Sequence, residues 1–421
     1  MSALLDSLAA SFRGNATQRS VLDAALRDGL PGARNEAWKY TSLRSLERRS
    51  FVATGPEASE FDAALLADIP APRLVFVNGR FDARHSDCAE LPAGVVLRPL
   101  SDGPTANDDA IDTDLRAPRR EAAVFERLAT ALADEGVVLQ VAAGIRTTTP
   151  LHLVFVGIAA AADVASHARH LVDVGAGASV AVVEHQLHGG DHANLSNALM
   201  HVRLAAGAEL LHARVQDECV RATVIAQTMV VLAASARYQR IDMELGAGLS
   251  RHDIGISLDG DDARASANGI LLGTGRRHLD TRLGVEHRGR DTSCDLVWRG
   301  LGAGRSRTVF RGGIVIHAGA DGADARLANK NILLGEGAEI DTQPALEIHA
   351  DEVKAAHGAT VGRLDPTALF YLRSRGLPEP DARRLLTGAF CREITEGVSD
   401  PTVRDVLTRS LERALATLEI G

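Results

Sequence analysis

The residues best suited to chemistry in this 421-residue chain are its 15 histidines and four cysteines. Cys88, Cys219, Cys294 and Cys391 are far apart in sequence. With no Cys-x-x-Cys pair, neither a zinc ribbon nor a dithiol redox motif can be drawn. Histidine is denser, and Glu184, His185, His188, Asp191 and His192 offer transition-metal ligand types within nine residues. On a strand, successive side chains point to opposite faces, so at most two of these converge. A bound metal is therefore not expected there. His278, Asp280 and His287 receive the same discount, as solvated groups on a β surface. The segment that stands apart is EIHADEVKAAHGATVG (347–362), in which an acidic lead passes through Lys354 to His357. Ala355, Ala356, Gly358 and Ala359 leave that imidazole unshielded, as a metal or interface contact requires. With an ordinary pKa of ~6.5, a neutral ring can bind iron or copper-group ions at neutral pH without first losing a proton.

Other chemistries are excluded by what is missing. A phosphate-binding loop needs Gly-x-x-x-x-Gly-Lys-Ser/Thr, and none of the three lysines, Lys39, Lys330 and Lys354, follows a glycine. ATP-driven work would thus need a partner that supplies the ATPase. Gly300-Leu301-Gly302-Ala303-Gly304 lacks the third spacing of a dinucleotide fingerprint and reads as a structural corner. There is no His-Glu-x-x-His. Lys plus Arg is 46 and Asp plus Glu is 55, a net charge of −9, which disfavours nucleic acid as a partner. The N-terminal twenty residues lack a basic, then apolar, export signal, and no apolar run reaches ~18 residues. The expectation is a cytoplasmic protein with reduced thiols and no membrane partner.

The elements that must position His357 are legible from periodicity. Helical spacing appears at Leu4, Leu5, Leu8 and Phe12, and again at Val21, Leu22, Ala25 and Leu26. NEAWKYTSL (35–43) reads as an anchor on the main body. RLVFVNGRF (73–81) is a strand running into an Asn-Gly turn. A linker (102–118) and a helix (121–136) follow. From 137 to 364 short Val/Ile/Leu runs alternate with small-residue turns: VGAGASV (174–180), LAAGAEL (204–210), LAASARY (232–238) and LGEGAEI (334–340). Ala178, Ala208, Ala236 and Ala263 follow one another at steps of 30, 28 and 27. That period, with only 4% aromatic residues, favours a β-solenoid of stacked aliphatic ladders over a β-sandwich. After 364, Asp365-Pro366, Asp381 and Asp400-Pro401 each open a helix. The first has Leu369, Phe370 and Leu372 on its apolar face and ends at Gly376. Leu385, Leu386, Ala389, Phe390 and Ile394 supply the second, and Val403, Val406, Leu407, Leu411, Leu415 and Leu418 the third. The division expected is a mostly helical region 1–136 with a short strand, a core 137–364, and a helical domain 365–421.

LEIHADEVKAAHGATVGRLDPTALFYLRSRGLPEPDARRLLTGAFCREI (346–394) resembles the C-terminal signature of the SufB/SufD family of iron-sulfur cluster assembly scaffolds. NEAWKYTSL, RTVFRGGIVI (307–316) and NKNILLGEGAEIDTQPALEI (329–348) extend the resemblance over nearly the whole chain. Where SufB-type chains carry His-Glu-Ala-Thr and Phe-Tyr-Cys, this one has His357-Gly358-Ala359-Thr360 and Phe370-Tyr371-Leu372, so it looks like the SufD-type branch. Many SufD-type relatives carry a Cys two residues before the His, where this chain has Ala355. The resemblance implies a mainly β fold, a right-handed parallel β-helix flanked by N- and C-terminal α-helical domains. It implies a non-enzymatic subunit that pairs with a SufB-like protein through terminal coils, at Lys354, His357 and Thr360. It also implies a SufC-like ATPase docked on Phe370, Tyr371, Arg373, Arg375 and Gly376. His357 would be the ligand, or iron-admitting group, for a transient iron-sulfur cluster, with no cofactor permanently bound. Two other readings stand beside it: a SufB-like homodimeric scaffold, and a polysaccharide-active β-helix using Asp259, Asp261 and Asp262.

Overall fold

The computed structural model describes residues 2–32, 34–55, 60–103 and 123–418. Two long sheets face each other. The first runs, in spatial order, through Val95–Pro99, Glu135–Val141, Val164–Val174, Leu195–Leu204, Thr223–Leu232, Leu249–Leu258, His278–His287, Arg307–Ile316 and Glu339–Ile348. The second runs through Arg80–Phe81, Arg73–Val77, Leu151–Gly157, Ser179–His188, Glu209–Gln216, Arg237–Glu244, Arg264–Gly273, Ser293–Gly302, Asp324–Leu333 and Lys354–Gly362. From Leu151 onward each coil gives one strand to each sheet and every pairing is parallel. This is the expected β-solenoid. The sheets begin upstream of residue 137, because Arg73–Val77 and Val95–Pro99 already belong to them.

Small residues recur because the corners are tight. Ala178, Ala208, Ala236 and Ala263 are fully buried at the corners leading from the first sheet to the second. Beside them runs a column of left-handed residues: Gly177, Gly207, Ser235, Asp262, Asp291 and Gly322. Each donates its N–H to the corner of the next coil, for example Gly177 to the Ala206 carbonyl at 2.9 Å and Asp262 to that of Arg290 at 2.9 Å. The corner therefore propagates its own hydrogen-bond ladder, satisfying groups that strands leave behind. LGEGAEI does not belong to this column. It forms the opposite corner, between Asp324–Leu333 and Glu339–Ile348. A turn of the same composition serves both edges, so alignment by composition merged them. Gly300 to Gly304 closes Ser293–Gly302 at that same opposite edge, as a corner should.

Between the sheets lies an aliphatic core that includes Val180, Val202, Leu232, Ile256, Leu283, Trp298 and Phe310. Helices α1 (Ala3–Ala10) and α2 (Ala16–Asp28) pack on the outer face of the first sheet with the short helix α3 (Arg44–Glu47) and with α4 (Val124–Leu132). Leu4, Leu5, Leu8, Leu22 and Ala25 are buried there against Ala165, Leu195 and Ile225. The helix expected over 121–136 is shorter, since Glu135 already pairs in the sheet. Residues 121–122 and most of the 102–118 linker lie outside the described residues.

Helices α5 (Pro366–Ser374), α6 (Glu379–Glu396) and α7 (Pro401–Ala416) follow the last strand. Asp365 and Asp400 cap α5 and α7 through side-chain oxygens that accept backbone N–H groups, with Pro at the first helical position. All six apolar residues expected on the third helix and its end are buried. They meet Val183, Val215, Ile241 and Leu272 on the outer face of the second sheet. Helix α6 matches expectation in part: Ile394 is buried and Phe390 packs on the same core, but Ala382, Thr387, Gly388, Cys391 and Thr395 are buried too, while Leu385 is 44% exposed. Small residues let the helix approach the sheet closely and turn Leu385 outward. No residue of α5 is buried, so its Leu369, Phe370 and Leu372 do not form a core face.

Candidate functional site

The solenoid ends asymmetrically. Among the described residues its last strand, Lys354–Gly362, pairs only with Asp324–Leu333, and Glu339–Ile348 pairs only with Arg307–Ile316. One edge of each is left unpaired. Register fixes which side chains look into this open end. His357 sits opposite Leu327 and Ala355 opposite Ala325, both of which face the interior. His357 is thus on the inner face at the mouth of the solenoid, exposed, with Ala355 and Ala359 beside it on that face. Among the described residues its imidazole has no hydrogen-bond or ion-pair partner, which leaves both ring nitrogens available. Val361 and Ile348 project from the same terminal coil at 45% and 43% exposure.

Lys354 and Thr360 are three residues from His357 on either side, and alternation puts them on the opposite, outer face. They sit opposite Asp324 and Lys330. The structure therefore places all three residues on one edge strand but not on one face. The Thr360 carbonyl accepts a hydrogen bond from Asn331 Nδ2 at 3.0 Å, and Asn331 in turn bonds Asn329, which receives the Thr342 hydroxyl at 2.7 Å. This amide cluster ties the two terminal strands to the coil beneath.

The second group of candidate residues is on α5. Phe370 is 72% and Tyr371 55% exposed, the Arg375 guanidinium lies 5.1 Å from the Tyr371 ring centroid, and Arg373 pairs with Glu379 at 3.1 Å. Gly376 has a φ of +91°, the left-handed conformation that ends the helix. Two large aromatic side chains held outward beside arginines are the residue types of an interface anchor.

Most of the other histidines bond neighbouring side chains, and several are buried where solvated ones were expected. Glu184 faces the interior and meets His212 Nε2 at 2.6 Å, whereas His185 faces outward and meets His152 at 3.0 Å. His188 is exposed, and His192 lies 3.0 Å from Glu218. His278 accepts or donates to Thr41 at 2.9 Å, and Asp280 receives the Thr41 hydroxyl and Arg251. With Arg251 stacked 4.2 Å from the Trp38 ring centroid, these residues form the socket for the NEAWKYTSL anchor. His287 bonds Thr292 at 2.8 Å. Asp259, Asp261 and Asp262 lie in a corner, where Asp261 accepts the Arg290 N–H at 2.8 Å.

Sequence reasoning missed the polar interior. His212, Arg214 and Gln216, with Arg240, Asp242 and Glu244, alternate along adjacent strands and point between the sheets, almost fully buried. Arg240 holds Asp242 bidentately at 2.7 and 2.8 Å, and Arg214 pairs with Glu244. Burial opposes ionisation of Glu184 and Glu244, but His212 and Arg240 at the first, and Arg214 and His252 at the second, hold both well below the usual carboxylate range. Burial, aided by Arg240 and Arg214 respectively, pushes His212 and His252 down. The signal was the period-2 polar pattern itself, which ordinarily marks the solvent face.

Two family models match the chain in succession: the SufBD protein N-terminal region over residues 9–153, and the SufBD core domain of SUF-system FeS cluster assembly over 156–390. The chain is 33% identical over 411 residues to the iron-sulfur cluster assembly protein SufD of Escherichia coli, covering 96% of this chain and 95% of that protein. It is 29% identical over 382 residues to a SufBD family protein of Synechocystis, with coverage of 88% and 84%. A Mycobacterium leprae SufBD family protein is 28% identical over 398 residues, with coverage of 93% and 92%. Matches of this extent, on a solenoid flanked by helices, make the chain a SufD homologue belonging to the SufB/SufD family of iron-sulfur cluster assembly proteins.

Proposed function

We propose that this chain is the non-catalytic SufD-type scaffold subunit of a cytoplasmic iron-sulfur assembly complex. Its open last coil pairs with a SufB-like subunit, and α5 docks a SufC-like ATPase that supplies the nucleotide chemistry this sequence lacks. Iron or the nascent cluster is cargo held transiently at the junction. The observation that carries the reading is His357, an unpartnered imidazole on the inner face of a terminal strand whose edge is free. Imidazole can replace thiolate on one iron of a cluster, and Ala355 beside it offers no sulfur, so His357 is the matched candidate ligand. The same free edges would allow a second copy to pair when the chain is isolated.

Co-expression with SufB-like and SufC-like partners tests this, comparing wild type with His357→Ala by gel filtration, absorbance and bound iron. Recovery of an intact complex with its cluster content lost is the expected result. Full cluster assembly in the variant would sink the ligand role, and collapse of the complex would reduce His357 to an interface contact. In the same system Arg375→Glu should weaken retention of the SufC-like subunit in a pull-down, and unchanged retention would remove α5 from the docking surface.

A further inference from the structure

We propose that Asp242, Glu244 and His252 hold a divalent first-row metal ion inside the solenoid. The two carboxylates stand at alternate positions of Arg237–Glu244 and so share its inner face. His252 comes from the next strand in sequence, Leu249–Leu258, across the corner 245–248. All three are at most 1% exposed. One ligand atom from each lies within 4.8 Å of the others.

The geometry points to coordination and not to hydrogen bonding. His252 Nδ1 is 3.5 Å from Asp242 Oδ1 and 3.8 Å from Glu244 Oε1, and among the described residues this buried nitrogen has no hydrogen-bond partner. Those separations are long for a hydrogen bond. They are close to the edge of a tetrahedron whose donors lie 2.0–2.1 Å from a central ion, roughly 3.4 Å. The surroundings orient the donors as outer partners of metal ligands do. Thr228 Oγ1 meets the other ring nitrogen of His252 at 3.0 Å, Ser250 and Gln216 bond Glu244 Oε2 at 2.7 and 3.0 Å, and the two donor oxygens also accept from guanidiniums, Asp242 Oδ1 from Arg240 at 2.8 Å and Glu244 Oε1 from Arg214.

Charge favours a cation as well. The carboxylates of Glu184, Asp242 and Glu244 face the guanidiniums of Arg214 and Arg240, three carboxylates against two guanidiniums. An uncompensated buried charge is costly. Two carboxylates and one imidazole suit iron(II), manganese(II) or zinc(II). With the donors enclosed, the ion enters as the chain folds and pins one coil to the next across its corner.

The test is metal content of the full chain, produced in medium supplemented with iron, manganese or zinc and dialysed against EDTA. Wild type should retain about one ion per chain, and His252→Leu and Asp242→Asn should each fall below about a tenth of that. Cobalt-loaded wild type should show the visible absorption of a tetrahedral nitrogen and oxygen site. His357→Ala separates this site from the proposed cluster position, because the interior ion should stay in that variant. Wild type without metal in all three media overturns the inference, as does an ion kept by both interior variants or lost only with His357. If His252→Leu fails to fold, Asp242→Asn and the cobalt spectrum decide.

Discussion

Gly269 offers a sharp test of how the interior supports the terminal coil. It faces inward on Arg264–Gly273, directly opposite Trp298. A Cβ at this position would fall 2.5 Å from both Cη2 and Cζ3 of the indole, where carbon contacts ordinarily settle at about 3.5–4.0 Å. Trp298 has nowhere to retreat, being stacked on Phe310 with centroids 4.8 Å apart and tied by Nε1 to the Ala267 carbonyl at 2.9 Å. Overpacking of this kind costs about 1–3 kcal/mol. Gly269 has no left-handed φ, so alanine also restricts the unfolded chain and returns about 0.4–1 kcal/mol. Gly269→Ala should therefore destabilise by up to about 2.6 kcal/mol, read as a lowered urea midpoint by far-UV circular dichroism. Trp298→Phe shrinks the ring, so the double variant should recover part of the loss, with a coupling of about 0.5–3 kcal/mol. The Trp298 carbonyl accepts from Asn329 Nδ2 at 3.4 Å, and Asn329 belongs to the amide cluster under His357. Amide exchange over 354–362 should rise in Gly269→Ala. A raised midpoint, or strict additivity in the double variant, would refute this account.

Asn331→Ala removes the donor to the Thr360 carbonyl from a buried site, at about 1–3 kcal/mol. It should accelerate exchange in 354–362 while leaving the early coils protected, and protection lost evenly along the chain would count against a local tie. Acid should weaken the fold before carboxylates titrate. Burial pushes His152, His170 and His185 from an ordinary 6.5 to about 4, about 4 and about 3, with Arg73 adding at His152 and His152 at His185. The unfolded chain then binds protons that the folded chain refuses, so stability is highest above pH 6.5 and falls as pH drops toward 4. The slope is about 1.4 kcal/mol per pH unit for each such histidine. A urea midpoint flat between pH 6.5 and 5 would contradict it, and His152→Leu should flatten the profile by one histidine's share.

The solenoid was legible because its corners are composed alike: Ala178, Ala208, Ala236 and Ala263 repeat once per coil, and burial of that alanine is what the corner demands. His357 was legible for a related reason, since small neighbours on a strand expose whatever stands between them. Other features were hidden by rules that hold only on average. The resemblance grouped Lys354, His357 and Thr360 together, whereas alternation puts His357 on the other face from the two, and that this face is the inner one depends on pairing with Leu327. The apolar stripe of α6 suggested a buried leucine face, whereas the sheet selected the small residues. His278 and Asp280 were read as solvated because nothing in a strand's own sequence announces that Trp38 and Thr41, more than two hundred residues earlier, will cover them. Arg240, Asp242 and Glu244 were invisible for the strongest reason. A polar period of two means solvent unless the inner face happens to hold its own ion pairs.

The two ends of the solenoid explain why the terminal coil is where a partner belongs. At the first end, Arg80–Phe81 folds back antiparallel on Arg73–Val77, and Val95–Pro99 runs antiparallel to Glu135–Val141. Each sheet there finishes in a strand of reversed direction, which ends the parallel stacking. At the last end the parallel stacking simply stops. Among the described residues both final strands keep an unpaired row of N–H and C=O groups, with exposed Val361 and Ile348; Glu339–Ile348 carries Pro344, but the last strand has neither a Pro nor a bulge to discourage pairing. An uncovered flat edge of that kind invites strand addition and aggregation in a protein meant to stand alone. A lysine at the start of the strand, Lys354, is its main charged deterrent. An edge so little defended is consistent with one that is normally covered. The proposed SufB-like partner would then complete both sheets and enclose His357 in one step, turning an exposed imidazole into a ligand held between two chains.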